Sequence, residues 1–209
     1  MTITNGYCSL DDVKHSNRLN IASSDSGADD LLEAIIEGVS RKIDDECHRF
    51  FYLTSSQTRW YRPLTSEDVF IDDIPADSDL SAIAIDTDDD GTVNNTLTAI
   101  TDYVLEPYNA PLDGKPYQKI TRRRRGQFLF PTGADKSVAV TAAFGWTAIP
   151  KPVVEACKLQ VERIFMRGGT PLGSNSMTAL GKMTLTIPSL DPDVCGMLQP
   201  YILKRRGFG

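Results

Sequence analysis

The chain has 209 residues, of which 41% are apolar and 24% are charged. A chain of this length buries roughly 70% of the surface that its unfolded form exposes, so it needs neither a metal nor a disulfide scaffold to fold. The uncharged stretch 137–150 is too short and too polar to cross a bilayer, and residues 1–12 lack the cationic start and apolar centre of a signal peptide. The composition therefore predicts a soluble intracellular protein with no membrane partner.

Charge is distributed unevenly along the chain, whose formal net charge is −6. Residues 1–114 contain 7 basic and 23 acidic residues, whereas residues 115–209 contain 15 basic and 5 acidic residues. The net negative charge argues against nucleic-acid binding over the whole surface, because such binding needs many cations to neutralise phosphates. Opposite charges on two faces suit head-to-tail contacts between copies, which close into rings, although ordinary solvated faces explain the same pattern.

Two helices are predicted near the start of the chain. Ser9 and Asp12 form an S-x-x-D cap, which predicts a first helix of about three turns. The clearest helix covers residues 29–50, where apolar residues recur at spacings of three and four with charged residues between them. Ser26 and Asp29 are its predicted cap.

Helical periodicity returns over residues 150–168 and stops at a pair of glycines. The remaining residues, 169–209, are rich in Gly and Pro and predict an arm that orders on a partner or on a neighbouring copy. Within this arm, Met183–Ile187 resembles a strand, and Asp191 followed by Pro192 predicts the start of a short helix.

The region from residue 52 to residue 145 has the period of two that is typical of antiparallel β-structure. Short runs of β-branched and aromatic residues are separated by clusters of Pro, Gly, Asn and Asp. The predicted strands are Thr58–Arg62, Asp68–Ile71, Ala82–Asp86, Asp102–Glu106, Tyr117–Thr121, Gln127–Phe130 and Ser137–Phe144.

The four cysteines are far apart in the sequence, and none belongs to a C-x-x-C pair. Cys47 and Cys157 fall on the apolar faces of predicted helices. Buried free thiols are therefore favoured over zinc ligands or disulfides. The cysteines are Cys8, Cys47, Cys157 and Cys195.

The segment from Asp86 to Gly91 matches the D-x-D-x-D-G opening of a calcium-binding loop, with carboxylates at Asp86, Asp88 and Asp90. The twelfth position of such a loop is a bidentate Glu, and here it is Leu97. Because Asp-Gly is also a common turn pair, a hairpin loop is the favoured interpretation, with weak cation binding as the alternative.

Four consecutive arginines, Arg122–Arg125, form the sharpest charge feature. Alternate residues of a strand point to opposite faces, so at most two of the four can contact one line of phosphates. The favoured interpretation is an exposed turn whose arginines pair with acidic residues of the same chain or of a neighbouring copy. Contact with nucleic acid is the alternative.

No catalytic motif is found in the sequence. The G-x-S-x-G, H-E-x-x-H, P-loop and G-x-G-x-x-G patterns are absent, and neither His15 nor His48 has a nucleophile motif beside it. We therefore expect neither an enzyme nor a cofactor site. A hydrolase would need a pair of carboxylates in a cleft, which sequence cannot reveal.

Several segments, in this order, resemble the head-to-tail connector (adaptor) family of tailed bacteriophages. Cys8–Lys14 resembles the opening of the family's first helix, and Cys47–Phe51 resembles the aromatic end of its second. Phe144–Trp146 then precedes a helix of the type P-x-x-V-x-x-A-x-x-L-x-V beginning at Pro150. Family variants with a β insertion are also similar to Thr58–Tyr61, Asp102–Pro107, Pro116–Ile120, Leu190–Val194 and Leu198–Tyr201.

The resemblance implies a structural virion protein of the neck, present in the host cytoplasm during assembly. Members of the family form a dodecameric ring under the portal protein, extend the channel through which genomic DNA passes, and dock a stopper or tail-completion protein. Their C-terminal segment reaches the portal. Carried over to this chain, the portal contacts are Gly196, Pro200, Tyr201, Lys204, Arg205, Arg206 and Phe208.

The sequence thus predicts an α+β protein: a small helical bundle with an inserted antiparallel β region and an extended C-terminal arm. The expected parts are residues 1–51 and 150–168 for the bundle, 52–149 for the insertion and 169–209 for the arm. Two alternatives remain open. One is a stopper or tail-completion protein of the same neck, and the other is a nucleic-acid-binding module using Arg122–Arg125.

Overall fold

The computed structural model describes residues 2–16, 18–167, 177–178, 181–182 and 190–203. The strand expected at Met183–Ile187 lies outside the described residues. So do Lys204, Arg205, Arg206 and Phe208 of the expected portal contact.

The chain has a mixed α+β fold with antiparallel sheets, as predicted, and it divides into two compact units. The helical unit comprises residues 1–50 and 149–209, and the β unit comprises residues 51–148. The helices are α1 (Leu10–Lys14), α2 (Asp29–Cys47), α3 (Lys151–Arg167) and α4 (Pro192–Leu198), and single 3₁₀ turns cover Asp77–Asp79 and Gln199–Tyr201. None of the helices in the described part of the chain is long and apolar enough to span a membrane.

Helix α1 starts as predicted but is shorter than expected. Ser9 and Asp12 form the complete capping box, in which each side chain bonds the backbone of the other residue. The helix ends at Lys14, because the carbonyl of Lys14 accepts the N–H of Ile21 instead of the N–H four residues on. The side chain of Lys14 is buried and donates to the carbonyl of Asp25, which turns the chain away from the helix axis.

Helix α2 lacks the cap predicted for it. Its N-cap is Ala28, and no side chain caps the helix. The carboxylate of Asp29 forms an ion pair with buried Lys14 instead of bonding a backbone N–H. The helix ends at Cys47 rather than near residue 50, because His48 adopts the left-handed conformation at φ +53° and donates its N–H to Asp44.

The core of the helical unit lies between α2 and α3. The apolar stripe of α2 faces that of α3, and both are almost completely buried. The N-terminal segment also packs on α2, since buried Tyr7 donates its N–H to Ser40 Oγ at 3.0 Å and its hydroxyl to Asp44. The guanidinium of Arg41 covers the Tyr7 ring at 5.7 Å. The buried stripes consist of Leu32, Ile36, Val39, Ile43 and Cys47 on α2 and Val153, Ala156, Cys157 and Val161 on α3.

Helix α4 is held on α3 by polar contacts and by a short apolar face. Asp191 is its N-cap and Pro192 its first residue, as predicted, but the Asp191 side chain does not cap the helix. It pairs instead with Arg167 at 3.1 Å and Arg163 at 3.4 Å. The N–H of Leu203 then donates to the carbonyl of Cys47 at 2.9 Å, so the described end of the chain returns to the end of α2.

The β unit contains two antiparallel sheets. Its strands are β1 (Gln57–Tyr61), β2 (Asp68–Ile74), β3 (Leu80–Ile85), β4 (Asn95–Thr96), β5 (Tyr103–Glu106), β6 (Tyr117–Arg122) and β7 (Val138–Ala142). One sheet has the strand order β1-β7-β3-β4 and the other has the order β2-β6-β5. The expected strand Gln127–Phe130 does not form, because the N–H of Phe130 bonds the carbonyl of Ser66 and the carbonyl of Phe128 accepts a side-chain bond. In the arm, strands β8 (Met177–Thr178) and β9 (Gly181–Lys182) pair as a hairpin.

Aromatic side chains organise the core of the β unit. The rings of Phe51 and Trp146 lie 5.4 Å apart, and the Arg59 guanidinium lies 4.3 Å from the ring centre of buried Phe144. The indole N–H of Trp146 donates to the carboxylate of Asp73 at 3.0 Å. Asp73 is buried, so this bond supplies the polar partner that a buried Trp requires.

We expect Asp44 to make the stability of the chain depend on pH. Burial raises the pKa of its carboxyl to about 6, although the bonds from Tyr7 and Arg41 oppose this rise. A carboxyl whose folded-state pKa is raised binds its proton more tightly when folded, so its contribution to stability grows as the pH falls from 7.5 to 4.5. Urea unfolding of the wild type and of Asp44→Asn at several pH values measures this contribution. Equal pH dependence in both proteins would contradict it.

Candidate assembly surfaces

The arginine run forms the end of strand β6 and the turn that follows it. The N–H of Gly126 donates to the carbonyl of Arg123 at 2.8 Å and closes the turn. The side chain of Arg122 faces the protein, donating to the carbonyl of Phe128 at 2.8 Å and lying 3.4 Å from Glu67. This arginine therefore has a structural role and pairs with an acidic residue of the first half of the chain.

The other three arginines are exposed, and they differ in what they contact. Arg123 donates its N–H to the carbonyl of Asp102 at 2.8 Å and its guanidinium to the carbonyl of Ile100 at 2.6 Å. Arg124 and Arg125 form no hydrogen bond or ion pair with any residue that the structure describes. Arg122 and Arg123 thus bond other groups of the chain, whereas Arg124 and Arg125 are available to a partner.

A second loop braces this turn through Asp102. The buried carboxylate of Asp102 accepts the N–H of Thr98 at 2.8 Å and the N–H of Gln127 at 3.2 Å. Ile100, between these contacts, is 73% exposed and has φ +68°, a conformation that β-branched residues rarely adopt. We call residues 98–102 and 122–127 the basic tip. It presents the exposed side chain of Ile100 and the side chains of Arg124 and Arg125, which have no polar partner among the described residues.

The aspartate-rich segment is a hairpin loop between β3 and β4, as predicted. The carboxylate of Asp86 accepts the N–H groups of Asp89 at 2.9 Å and Gly91 at 2.8 Å, so backbone donors engage both of its oxygens. Leu97, where a calcium loop would place its last ligand, is buried and donates its N–H to Ile83. The carboxylates of Asp86, Asp88 and Asp90 lie within 4.8 Å of one another, but bonds within the loop explain this grouping without an ion.

The side chains of Ser23, His15 and Asp11 lie in contact in that order, a cluster that the sequence did not predict. Ser23 Oγ lies 2.9 Å from His15 Nε2, and Asp11 Oδ1 lies 3.2 Å from His15 Nδ1. Triad catalysis needs a site that excludes water and offers donors to the developing negative charge. The His15 and Asp11 side chains are both more than half exposed. The three residues therefore tie a loop to α1 and do not form a catalytic site.

A charged groove of about 530 Å³ lies between α1 and α3 in the helical unit. Ion pairs lie along it: Arg18 is 3.4 Å from Glu162 of α3, and Lys158 and Glu155, both on α3, are 3.2 Å apart. Because these charges satisfy one another, the groove has the character of a solvated surface and not of a ligand pocket. Its lining comprises Asp11, Asp12, His15, Ser16, Arg18, Glu155, Lys158 and Glu162.

The described portion of the C-terminal segment offers an outward surface on α4. Val194 and Leu198 are buried against the helical unit, whereas Gly196 and Met197 are exposed. A Cβ built on Gly196 would meet no atom within 4 Å, so a partner could approach the helix backbone closely there. Pro200 is exposed and Tyr201 half-buried on the 3₁₀ turn that follows.

The fold is similar to that of chains in the necks of phage-like particles. No protein-family model and no curated protein matches the sequence. A chain in the neck of the empty gene transfer agent (GTA) particle, computed with C6 symmetry, is 15% identical with a TM-score of 0.57 over 100% of this chain and 96% of that one. A chain in the virion of the native GTA particle is 16% identical, with a TM-score of 0.54 over 100% of this chain and 96% of that one. A chain in the neck of the native GTA particle, computed with C12 symmetry, is 14% identical, with a TM-score of 0.50 over 86% of this chain and 85% of that one.

We expect Gly126→Ala to destabilise the β unit by loosening the basic tip. A Cβ at this position would lie 2.7 Å from the carbonyl oxygen of Asp102, so the two loops would have to separate. The expected loss is about 1–3 kcal/mol of unfolding free energy. Gly38→Ala is the matched control, because a Cβ there meets no atom within 4 Å and should add about 0.5–1 kcal/mol of stability to a helix. Urea denaturation measures both, and an undiminished stability of Gly126→Ala would contradict the packing described.

Proposed function

We propose that this chain is a structural neck protein of a phage-like particle, in the role of a head-to-tail adaptor. The observation that carries the proposal is the fold shared with a GTA neck chain over 100% of this chain and 96% of that one. A match over the whole length includes the helical bundle and the β insertion together. The ordered segments that resemble phage adaptors support the same role. The role is structural and requires no enzymatic activity.

In the proposed role, copies of the chain form a ring of twelve under the portal protein. The C12 symmetry of one neck structure with this fold supports a ring of twelve, and the C6 symmetry of another is compatible with it. The acidic first half and the basic second half of the chain suit a contact in which each copy meets the next head to tail. Genomic DNA passes through the ring, and net negative charge reduces the tendency of DNA to bind there.

The C-terminal segment is the proposed portal contact. Gly196, Pro200 and Tyr201 lie on or directly after α4, whose inner side is anchored on α3. An anchored helix can present its outer face to a second protein at little cost in conformational entropy. In this role Lys204, Arg205, Arg206 and Phe208 continue the contact beyond it. A stopper or tail-completion protein is the proposed partner of the ring on its other side.

We assign the portal contact and the contact between copies to different parts of the chain. The bundle formed by residues 1–51 and 150–168, with the arm 169–209, provides the portal contact. The insertion, residues 52–149, carries the basic tip, which we assign to contacts between copies. Arg124 and Arg125 are the side chains of this tip that are available for a neighbour's carboxylates.

The first experiment tests the portal contact. The chain is co-expressed with its candidate portal protein, and complexes are captured through a tag on the portal. We expect Gly196→Ala to weaken this capture several-fold, because a methyl group would separate the closely packed backbones. Gly38→Ala changes another exposed helical glycine and should leave capture unchanged. Equal capture of both variants, with normal circular dichroism spectra, would remove Gly196 from the contact.

The second experiment tests the contact between copies by electron microscopy of the complex with the portal. We expect a ring of twelve for the wild type and none for Arg124→Glu/Arg125→Glu, because reversed charge would repel acidic residues of the neighbour. Lys115→Glu/Lys136→Glu is the matched control, since it makes the same change in net charge at two other exposed positions of the β unit. A wild-type chain that forms no ring with the portal and appears elsewhere in the neck would favour the stopper role.

A nucleic-acid-binding module is the second candidate. Arg124 and Arg125 of the basic tip, which pair with no residue that the structure describes, favour it. Its signature is duplex DNA binding by the isolated chain that weakens steeply with salt and is lost in Arg124→Glu/Arg125→Glu. The same pair of variants therefore separates the two functions. A ring with the portal that the double variant loses supports the adaptor, whereas DNA binding that the double variant loses, in a chain that forms no ring, supports the second candidate.

A further inference from the structure

Two cysteines from distant parts of the chain meet in the helical unit. The sulfur atoms of Cys8 and Cys157 are 3.5 Å apart, although 149 positions separate the two residues. Cys8 is 7% exposed and Cys157 is fully buried, and both are free thiols. A disulfide has a bond of about 2.05 Å, so the sulfurs need to approach by only about 1.5 Å to form one.

The surroundings of Cys157 favour its thiolate over that of Cys8. The thiol of Cys8 donates to the Cys157 sulfur, and the hydroxyl of Ser40 lies 3.7 Å from it. These bonds, with the backbone N–H groups of Tyr7 and Cys8, hold the pKa of Cys157 below its usual value. The same bond between the sulfurs, together with burial, raises the pKa of Cys8. The pair therefore has one sulfur suited to react first and a second one beside it.

We propose that Cys8 and Cys157 form a redox-sensitive pair that peroxide converts into a disulfide within the folded chain. The Cys157 thiolate attacks a peroxide oxygen and becomes a sulfenic acid, and the O–O bond breaks to release hydroxide, which takes up the proton lost by the Cys157 thiol and becomes water. The Cys8 sulfur then attacks the sulfenic sulfur, the S–S bond forms as the S–O bond breaks, and the sulfenic OH leaves as water with the proton of the Cys8 thiol. Two thiols are oxidised and one peroxide is reduced to two molecules of water.

The position of the pair gives this disulfide a structural consequence. The helical unit is built from residues 1–50 and from residues after 148, and the β unit lies between these pieces in the sequence. Cys8 belongs to the first piece and Cys157 to the second. The disulfide would join the two pieces covalently and close a loop that contains the entire insertion. Closing so long a loop removes much conformational freedom from the unfolded chain.

The same pair suits a component of an extracellular particle, an argument that rests on the proposed function. Cytosolic thiols are kept reduced, whereas disulfides persist outside the cell. The helical unit would be free to adjust while the neck assembles and would be locked after release. The chemistry of the pair is tested on the isolated chain, so its outcome does not depend on whether the chain forms a ring.

The test uses the full chain carrying Cys47→Ser and Cys195→Ser, which leaves the proposed pair as its only cysteines. Treatment of the folded protein with hydrogen peroxide should lower its mass by about 2 Da, the loss of two hydrogen atoms. Trypsin digestion without reductant should then yield one linked species containing the peptides that end at Lys14 and Lys158. We expect the oxidised protein to melt about 5–10 °C higher than the reduced one, and dithiothreitol to reverse the change.

Two comparisons keep the proposal falsifiable. Cys8→Ser in the same background should lose no mass as a monomer and should accumulate sulfenic acid, which dimedone labels. The wild-type chain, with all four cysteines, should link Cys8 to Cys157 when folded and give mixed pairings when unfolded in urea. Mixed pairings in the folded chain, or oxidation only after unfolding, would overturn the proposal. This mapping needs no substitution, so it decides the question even if Cys8→Ser folds poorly.

Discussion

The fold depends on the packing of α2 against α3, which are about a hundred positions apart in the sequence. The apolar stripe of α2 cannot be buried by its sequence neighbours alone, because α1 is only five residues long and the next element after α2, strand β1, belongs to the β unit. Its burial therefore requires α3, which begins only after the insertion. Tyr7, Ser40 and Cys157 form a polar and sulfur-containing layer beside this interface. The N-terminal segment is held in place by the same interface.

Buried acidic residues organise loops in the β unit. Asp102 holds two loops together through backbone N–H donors, and Asp73 supplies the partner of Trp146. In each case a carboxylate satisfies buried donors that would otherwise cost about 1–3 kcal/mol apiece. Part of the acidic excess of residues 1–114 is therefore structural. Exposed carboxylates such as those of Asp88 and Asp90 form the remainder and are available to solvent or to a neighbour.

The fold is shared with GTA neck chains although the sequences are only 14–16% identical. In the adaptor role that we propose, a shape and complementary surfaces matter more than the identity of particular residues. An identity of 15% over complete chains is consistent with that freedom. Three polar clusters of the chain have side chains that bond one another without a ligand. They are the groove between α1 and α3, the hairpin loop at Asp86 and the cluster around His15.

Periodicity identified the elements well. The capping box at Ser9, helix α2, most strands and the hairpin loop at residue 86 follow from local patterns, and the structure contains them. The errors occurred where a side chain outside the predicted element bonds one of the element's polar groups. Lys14 pairs with the carboxylate of Asp29, which therefore does not cap α2, and Arg122 donates to the carbonyl of Phe128 in a segment that resembles a strand. Such competition has no signature in local sequence.

By itself, the sequence determined the α+β class, the order of the elements and the segregation of charge, because these depend on residue type and on local spacing. The tertiary structure alone decided which of the four arginines are available. It also decided that Arg123 contacts the carbonyl of Ile100, that Ser23 meets His15, and that Cys8 meets Cys157. Each of these results joins residues that are separated in the sequence. Only the packing of complete helices and sheets determines which such side chains come within reach of one another.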